Sequence, residues 1–167
     1  KLEKYIKKNF SNKNIFISFE SQILDTGGGI KNAINYLKDE KILVTNSDIY
    51  WHSDNSNDIN NFISKINITN ECQLLLSKKN NTLGINKNSG DFIIENNIVR
   101  RSKQNDPIFF YSGLQIINSK ILNEYEGEIF SINKIWDNLI KEKKLQGSVM
   151  ESKLFHIGDK KTYTNFN

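Results

Sequence analysis

The 167-residue chain has one cysteine, one proline and one methionine, and no long apolar run. A single thiol, Cys72, can form neither an intramolecular disulfide nor, by itself, a zinc site, so the composition predicts a reducing compartment and hence a cytoplasmic location. Cys72 is expected to be a small buried apolar side chain, since it precedes a leucine run. Because no segment approaches the roughly 20 apolar residues that span a bilayer, we expect no membrane partner.

The charge is modest and dispersed. The net charge is +4, but the lysines occur in short groups such as Lys7-Lys8 and Lys78-Lys79, beside acidic or asparagine residues rather than aromatic ones. This pattern is typical of a solvated lysine surface, and we predict no nucleic-acid partner. A small phosphorylated ligand is compatible with the same charge.

The length suits one domain, because domains cluster at about 100–150 residues. The first residue is Lys1 and not methionine, and we expect an upstream stretch to precede it. Residues 1–167 are accordingly predicted to form the carboxyl-terminal portion of a single domain whose opening strand or strands are missing.

The first half of the chain alternates between helical and extended patterns. Apolar residues recur at helical spacing in the segments 1–10, 30–37 and 59–66. Short apolar runs between them predict strands at 15–17, 41–45 and 73–76. The run 41–45 has the continuous apolar character of a strand that is buried on both faces.

The pattern changes after residue 83. Turn-forming pairs separate two short β-prone runs, at 91–94 and 98–100, which predicts a small β meander. A longer strand at 108–117 contains Gly113, and glycine inside a strand indicates a bulge or the approach of a ligand. A helix at 132–140, a final strand at 149–157 and a short polar helix follow. We predict an α/β fold with a three-layer, mostly parallel, Rossmann-like sheet and a β-meander insertion.

Two features at strand ends indicate a binding site. The segment Thr26-Gly27-Gly28-Gly29 opens a predicted helix, where backbone N–H groups without obstructing side chains suit a phosphate, ribose or base edge. Asp48 follows the strand 41–45, where a carboxylate is either a loop cap or a ligand for a hard cation such as Mg²⁺. Ligands of such sheets bind beyond the carboxyl ends of the strands, so both features are expected on one rim.

In order and spacing, these segments resemble the sugar-1-phosphate nucleotidyltransferases, and most closely the branch of N-acetylmuramate-1-phosphate uridylyltransferase and mannose-1-phosphate guanylyltransferase-like enzymes. Residues 24–30, Leu-Asp-Thr-Gly-Gly-Gly-Ile, are similar to that branch's Leu-Glu-Thr-Gly-Gly-Gly-Ile, and Asn46-Ser47-Asp48 is similar to its Asn-Gly-Asp. Residues 111–114, Tyr-Ser-Gly-Leu, resemble its Phe-Ser-Gly-Ile, and residues 155–158, Phe-His-Ile-Gly, lie where it has Val-Asp-Val-Gly. The resemblance covers nearly the whole chain.

The resemblance implies a nucleotidyl transfer. An oxygen of a sugar 1-phosphate would attack the α-phosphorus of a nucleoside triphosphate, giving pyrophosphate and a nucleotide sugar for envelope polysaccharide or peptidoglycan recycling. The implied cofactor is Mg²⁺, bound by Asp48 as the catalytic carboxylate. The other implied contacts are to the nucleotide from Thr26, Gly27 and Gly28, to the sugar from Gly113, and to the ribose or Asp48 from Asn46.

The chain departs from the family at three places. The glycine-rich loop with an arginine and a proline, which cradles the triphosphate, and a downstream lysine are absent before Lys1. Ser47 replaces the glycine of Asn-Gly-Asp. His156 stands at the position of the second metal-binding aspartate, and imidazole is a poorer Mg²⁺ ligand than carboxylate, so His156 is either a metal ligand or a hydrogen-bonded structural residue.

Two other functions are compatible with the sequence. A metal-dependent glycosyltransferase also places carboxylates after a buried strand, but its second carboxylate would fall at Tyr50, and it leaves the glycine turn unexplained. A sugar-nucleotide-binding module without turnover would account for the absent loop and for His156.

Overall fold

The computed structural model describes residues 1–10, 14–69, 71–85 and 87–165. The helices in chain order are α1 Leu2–Asn9, α2 Asp25–Ile34, α3 Ser56–Ile63, α4 Ser119–Glu124, α5 Asn133–Lys141 and α6 Lys160–Asn165. The strands are β1 Lys41–Thr45, β2 Ile49–Tyr50, β3 Cys72–Lys78, β4 Thr82–Leu83, β5 Phe92–Glu95, β6 Ile98–Arg101, β7 Phe109–Asn118, β8 Leu145–Met150 and β9 Leu154–His156.

Six strands form the main sheet, in the order β1-β7-β3-β8-β6-β5. β3 and β8 are parallel, whereas β7 runs antiparallel to both of its neighbours, β1 and β3. The prediction of a mostly parallel sheet is therefore wrong, and the sheet is mixed. The error arises because β7 follows the β5–β6 hairpin rather than a crossover helix, so the chain enters the centre of the sheet in the reverse direction.

Helices cover both faces of the main sheet, which confirms the three-layer arrangement. One face packs against α2, α4 and α5 through buried side chains that include Ile34, Leu122 and Trp136. The opposite face packs against α3 through Phe62 and against the small sheet through Ile49 and Leu154. Each face buries a continuous apolar cluster, and burial of this kind is the main favourable term in folding.

The predicted β meander is confirmed as the hairpin of β5 and β6. Asn96 and Asn97 occupy its turn at φ 50° and 66°, a left-handed conformation that asparagine tolerates better than most residues. β6 pairs with β8, so the hairpin extends the main sheet at its far edge.

The predicted strand at 15–17 does not form. Residues 14–20 adopt no regular structure, and Phe16 and Phe19 are 66% and 81% exposed. No strand of the described chain pairs with this segment, and an apolar run without a partner has no ladder to join.

The predicted final strand, 149–157, is split between the two sheets. β8 ends at Met150, and β9 begins at Leu154. The backbone N–H groups of Glu151 and Ser152 donate to the Asp58 carboxylate at 3.2 and 2.9 Å, which turns the chain out of the main sheet. β9 then forms the centre of a small three-stranded sheet, β2-β9-β4.

Cys72 is fully buried, as predicted, and its Sγ lies 3.6 Å from Gln115 Oε1. Burial raises the pKa of its thiol far above the usual range. Among the described residues, no helix combines the length and apolarity needed to cross a bilayer.

Candidate functional site

The glycine turn opens helix α2, as the sequence predicts, but its N–H groups point into the protein. The N–H groups of Gly27 and Gly28 both donate to the carbonyl of Phe130, at 2.9 and 3.0 Å. The Phe130 N–H in turn donates to the carbonyl of Leu24 at 3.1 Å. Residues 24–28 and 128–132 are thus joined by hydrogen bonds into one unit, which we call the glycine clamp.

Close packing explains why glycine is required in the clamp. A Cβ atom on Gly28 would lie 2.1 Å from the carbonyl oxygen of Glu128. A Cβ on Gly27 would lie 2.3 Å from the Phe130 ring and 2.8 Å from its carbonyl oxygen. The absence of side chains at these two positions therefore serves the contact between α2 and the segment before α5.

Thr26 also ties the clamp together. Its Oγ1 donates to Asp25 Oδ1 at 3.2 Å and accepts from the Ile132 N–H at 3.1 Å. Asp25, the first residue of α2, adopts a left-handed φ of 60°, and its carboxylate accepts from the adjacent Thr26 N–H at 2.5 Å. The Thr26 hydroxyl thereby fixes the start of α5 against the start of α2.

A cavity of ≈ 230 Å³ lies between the clamp and the main sheet, and both Thr26 and Asn46 line it. The structure thus brings together two residues that lie twenty positions apart in sequence and were predicted to face the nucleotide. Only one of the remaining polar and aromatic wall residues, Tyr111, belongs to a segment that resembles the family, and the others are Asp91, Phe92, Arg101, Gln115, Asn133 and Trp136.

Several of these side chains have partners within the protein. Arg101 donates from Nε to Asp137 at 2.8 Å and from Nη2 to Asn133 at 2.7 Å. The Trp136 indole N–H donates to Gln115 Oε1 at 2.9 Å. One sequence feature could have indicated Tyr111 and Gln115 as wall residues, because each lies two positions from Gly113 on β7.

Gly113 forms a bulge in β7, as predicted. The register between β3 and β7 shifts from Leu74 opposite Gln115 to Leu76 opposite Tyr111, so the three residues 112–114 of β7 lie opposite Leu75 alone. Gly113 has a φ of +85°, and its carbonyl accepts from the Asn46 N–H at 2.8 Å. A Cβ on Gly113 would lie 2.6 Å from Ile49 Cγ1, so the bulge holds residues 46–49 closely against β7.

Asp48 and His156 meet at the corner between the two sheets. Ile49 pairs with His156 across β2 and β9, and the Asp48 carbonyl accepts from the Ile157 N–H at 2.8 Å. The side chains approach to 3.3 Å between Asp48 Oδ2 and His156 Nε2. Two residues that are more than one hundred positions apart therefore form one pair, here called the Asp48 corner.

The second carboxylate oxygen, Asp48 Oδ1, is buried and has no hydrogen-bond partner in the described chain, although the side chain as a whole is 44% exposed. The Tyr111 hydroxyl is likewise buried and unpaired there. Burial is the main cause that raises the pKa of Tyr111 well above its usual value, and the negative charge of Asp48 acts in the same direction. A buried oxygen without a partner costs about 1–3 kcal/mol, so a bound ligand or cation would satisfy a real deficit.

The donors of the Asp48 corner match Mg²⁺ only in part. The Asp48 carboxylate is a hard oxygen ligand of the kind that Mg²⁺ prefers, and Oδ1 has no hydrogen-bond partner in the part of the chain that the structure describes. The second donor is an imidazole nitrogen, which suits transition-metal ions instead. No group of three or more histidine, cysteine or acidic side chains capable of holding a metal occurs among the described residues. The donor set therefore does not fit a two-carboxylate Mg²⁺ site.

Neither a protein-family model nor a curated protein sequence matches the chain. Several solved structures do match the chain. HddC of Yersinia pseudotuberculosis in complex with GMP-PN is similar at a TM-score of 0.70 and 24% identity, over 98% of this chain and 70% of that chain. The inositol-1-phosphate CTP transferase of T. maritima gives 0.68 and 10%, over 96% and 66%. A UTP-bound UGPase of Acinetobacter baumannii gives 0.65 and 19%, over 98% and 67%.

These similarities establish the fold. The chain has the α/β fold of the sugar-phosphate nucleotidyltransferases, which confirms at the level of the fold the resemblance drawn from the sequence. The roles of the individual site residues stay predictions, which the geometry above now constrains.

Proposed function

We propose that the protein is a nucleotidyltransferase that joins a sugar 1-phosphate to a nucleoside triphosphate and releases pyrophosphate. The observation that supports this most strongly is the shared fold, which extends over nearly the whole chain and includes neighbours bound to GMP-PN and to UTP. The location of the reaction is proposed from the Asp48 corner, where a carboxylate oxygen has no partner among the described residues. Asp48 lies two residues beyond Asn46, which lines the cavity together with Thr26.

The nucleoside is proposed to occupy that cavity. Asn46 is exposed, and its side-chain amide makes no hydrogen bond within the described residues, so it can donate to and accept from a ribose or base. The N–H groups of Gly27 and Gly28 are already engaged by Phe130, so these glycines would offer a ligand only their Cα surfaces. Thr26 would contact the ligand through the part of its side chain that faces the cavity.

In this reaction the main contribution of the protein is to position the two substrates. An oxygen of the sugar phosphate forms a bond to the α-phosphorus while the bond from that phosphorus to the β-bridging oxygen breaks, and pyrophosphate leaves with the electron pair. The bulge at Gly113 holds Asn46 and Asp48 at fixed positions beside β7. Side chains that are held in place before the substrates bind lower the entropic cost of aligning the two substrates. A divalent cation held at Asp48 would supply neutralisation of phosphate charge.

The test is pyrophosphate release by the purified chain. UTP, GTP, CTP and ATP are each combined with a panel of sugar 1-phosphates, and each substrate is omitted in turn. We expect release with at least one pair, dependent on both substrates, and a nucleotide sugar identified by mass. Tight nucleotide binding without release under every pairing would contradict the proposal and favour a binding module.

A reaction with a nucleotide sugar and a sugar acceptor, but no nucleoside triphosphate, distinguishes the proposed activity from that of a metal-dependent glycosyltransferase. A metal-dependent glycosyltransferase would consume a nucleotide sugar and release a nucleoside diphosphate, with no pyrophosphate formed. We expect no such release from UDP-sugars or GDP-sugars in the presence of sugar acceptors.

A further inference from the structure

The chain contains two histidines, and each lies next to an aspartate. His52 Nδ1 approaches Asp54 Oδ2 to 3.1 Å, and His156 Nε2 approaches Asp48 Oδ2 to 3.3 Å. The two pairs differ in their surroundings. His52 Nδ1 also accepts from the Asp54 N–H at 3.3 Å as the cap of a short helical turn, and the Asp54 side chain is 80% exposed. That pair serves local structure, whereas the Asp48 corner lies where the two sheets meet.

We propose that the Asp48 corner binds a first-row transition-metal ion in preference to Mg²⁺. The inference deepens the proposed function, because it concerns the cation that would neutralise the phosphates at Asp48. Imidazole nitrogen is a borderline ligand that suits ions such as Fe²⁺, Ni²⁺ and Zn²⁺ and is accepted by Mn²⁺, while Mg²⁺ favours oxygen donors almost exclusively. A site with one carboxylate and one imidazole therefore shifts the selectivity away from Mg²⁺.

The separation of the two donor atoms fits a shared ion. Metal–oxygen and metal–nitrogen bonds of about 2.1 Å place neighbouring ligand atoms about 3.0 Å apart in octahedral geometry and about 3.4 Å apart in tetrahedral geometry. The observed distance between Asp48 Oδ2 and His156 Nε2 is 3.3 Å. One ion can thus be bound by both atoms with little movement of either side chain.

The backbone on both sides of the corner is already fixed. The pairing of β2 with β9 and the hydrogen bond from the Ile157 N–H to the Asp48 carbonyl hold the two residues opposite each other. The His156 ring lies over Gly158, where an added Cβ would come within 2.5 Å of the ring Cε1. Preorganisation of this kind reduces the ordering cost of metal binding.

The corner supplies two protein ligands, so the other coordination positions are open to water and to phosphate oxygens. This arrangement predicts modest affinity for the ion alone and tighter binding of the ion together with a nucleotide. Mn²⁺ is the most demanding probe of the proposal, since among the first-row transition ions it resembles Mg²⁺ most in its preference for oxygen.

The experiment measures Mn²⁺ binding to the whole chain by electron paramagnetic resonance, without nucleotide, and then displacement of Mn²⁺ by Mg²⁺. We expect Mn²⁺ to bind at least roughly tenfold more tightly than Mg²⁺. We also expect electron spin echo modulation from a directly coordinated nitrogen. Equal affinity for the two ions, or bound Mn²⁺ without nitrogen modulation, would overturn the proposal.

Two variants test which histidine supplies the coordinated nitrogen. His156→Ala should abolish the nitrogen modulation and remove most of the preference for Mn²⁺, whereas His52→Ala, the matched control, should leave both unchanged. A signal lost in His52→Ala but kept in His156→Ala would place the ion at the wrong pair and refute the proposal. Because the wild-type measurement needs neither a folded variant nor turnover, metal selectivity can fail while pyrophosphate release succeeds, and the reverse.

Discussion

The glycine clamp and the Asp48 corner were predicted as two halves of one binding site, and the structure gives them opposite characters. In the clamp, the N–H groups of Gly27 and Gly28 and the Thr26 hydroxyl all have partners within the protein. At the corner and the neighbouring β7, Asp48 Oδ1 and the Tyr111 hydroxyl are buried and have none among the described residues.

This difference separates stability from function. Polar groups that are satisfied internally stabilise the fold, while buried polar groups that lack partners cost free energy and are retained where a ligand uses them. The clamp should therefore respond to substitution mainly through the free energy of unfolding. The corner should respond mainly through ligand binding and turnover. Four substitutions test this contrast, in decreasing order of expected effect.

Gly28→Ala should be the most damaging change in the clamp. Its Cβ would overlap the Glu128 carbonyl, a backbone atom that cannot move alone, and we expect a loss of about 3 kcal/mol in the free energy of unfolding. Urea denaturation measures it. The matched control is Gly29→Ala, whose Cβ would meet only Glu20 Oε1, the end of an exposed side chain. Because alanine favours helix, that control should be neutral or stabilising by up to about 1 kcal/mol. Equal losses in the two variants would contradict the packing explanation.

Gly113→Ala tests the bulge that joins the corner to β7. A side chain at φ +85° is strained, and Ile49 leaves no space for the Cβ, so we expect a loss of about 2 kcal/mol in the free energy of unfolding. Because the bulge positions Asn46, the affinity for nucleotide should fall as well, and isothermal titration at a temperature where the variant is folded would detect it. An unchanged affinity would show that the bulge does not position Asn46 for nucleotide binding.

Thr26→Val should cost about 1 kcal/mol, because the Ile132 N–H loses its acceptor. Thr26→Ser retains the hydroxyl and is expected to lose much less. Comparison of the two midpoints of urea unfolding distinguishes the hydrogen bond from the packing of the methyl group. If serine and valine have the same effect, the hydroxyl does not contribute to the clamp.

Tyr111→Phe should have the smallest effect at neutral pH, and of opposite sign. Removal of an unpaired buried hydroxyl is expected to leave the free energy of unfolding unchanged or to raise it by up to about 1 kcal/mol. The pH dependence gives the sharper result. Because the pKa of Tyr111 is raised in the folded state, the unfolded chain loses that proton first, and the stability of the wild type should fall as pH rises above about 10. The variant should lack this part of the fall. An identical slope in both proteins would show that Tyr111 does not titrate differently on folding.

Much of the fold was predictable because periodicity reports burial. The runs 41–45 and 73–76 became β1 and β3, and the apolar spacing in 132–140 became α5. The prediction that 41–45 is buried on both faces was wrong, because β1 lies at the edge of the described sheet and Leu43 is 40% exposed. The direction of β7 was not predictable, because the spacing of apolar residues in a strand does not indicate whether the neighbouring strand is parallel or antiparallel. The strand at 15–17 was wrongly predicted because an apolar run indicates a tendency to pair but not the presence of a partner.

The candidate site was predictable where a motif met a strand end. Asp48 and His156 were each singled out in sequence, and their contact depends on the small sheet that no local pattern indicates. The role of the glycines was harder to infer. Glycine appears the same in sequence whether it admits a ligand or a neighbouring carbonyl, and here the carbonyls of Glu128 and Phe130 occupy the space. The further walls of the cavity come from four separate segments and could not be assembled without the fold.

The most direct test of the account is pyrophosphate release by Asp48→Asn, measured at saturating substrates and corrected for the folded fraction. Asparagine keeps the shape of the side chain and removes its charge. We expect turnover to fall on the order of 10²–10³-fold with little change in the free energy of unfolding. Asp54→Asn, an exposed carboxylate six positions further along, should retain full activity. Turnover by Asp48→Asn equal to that of the wild type would contradict the account.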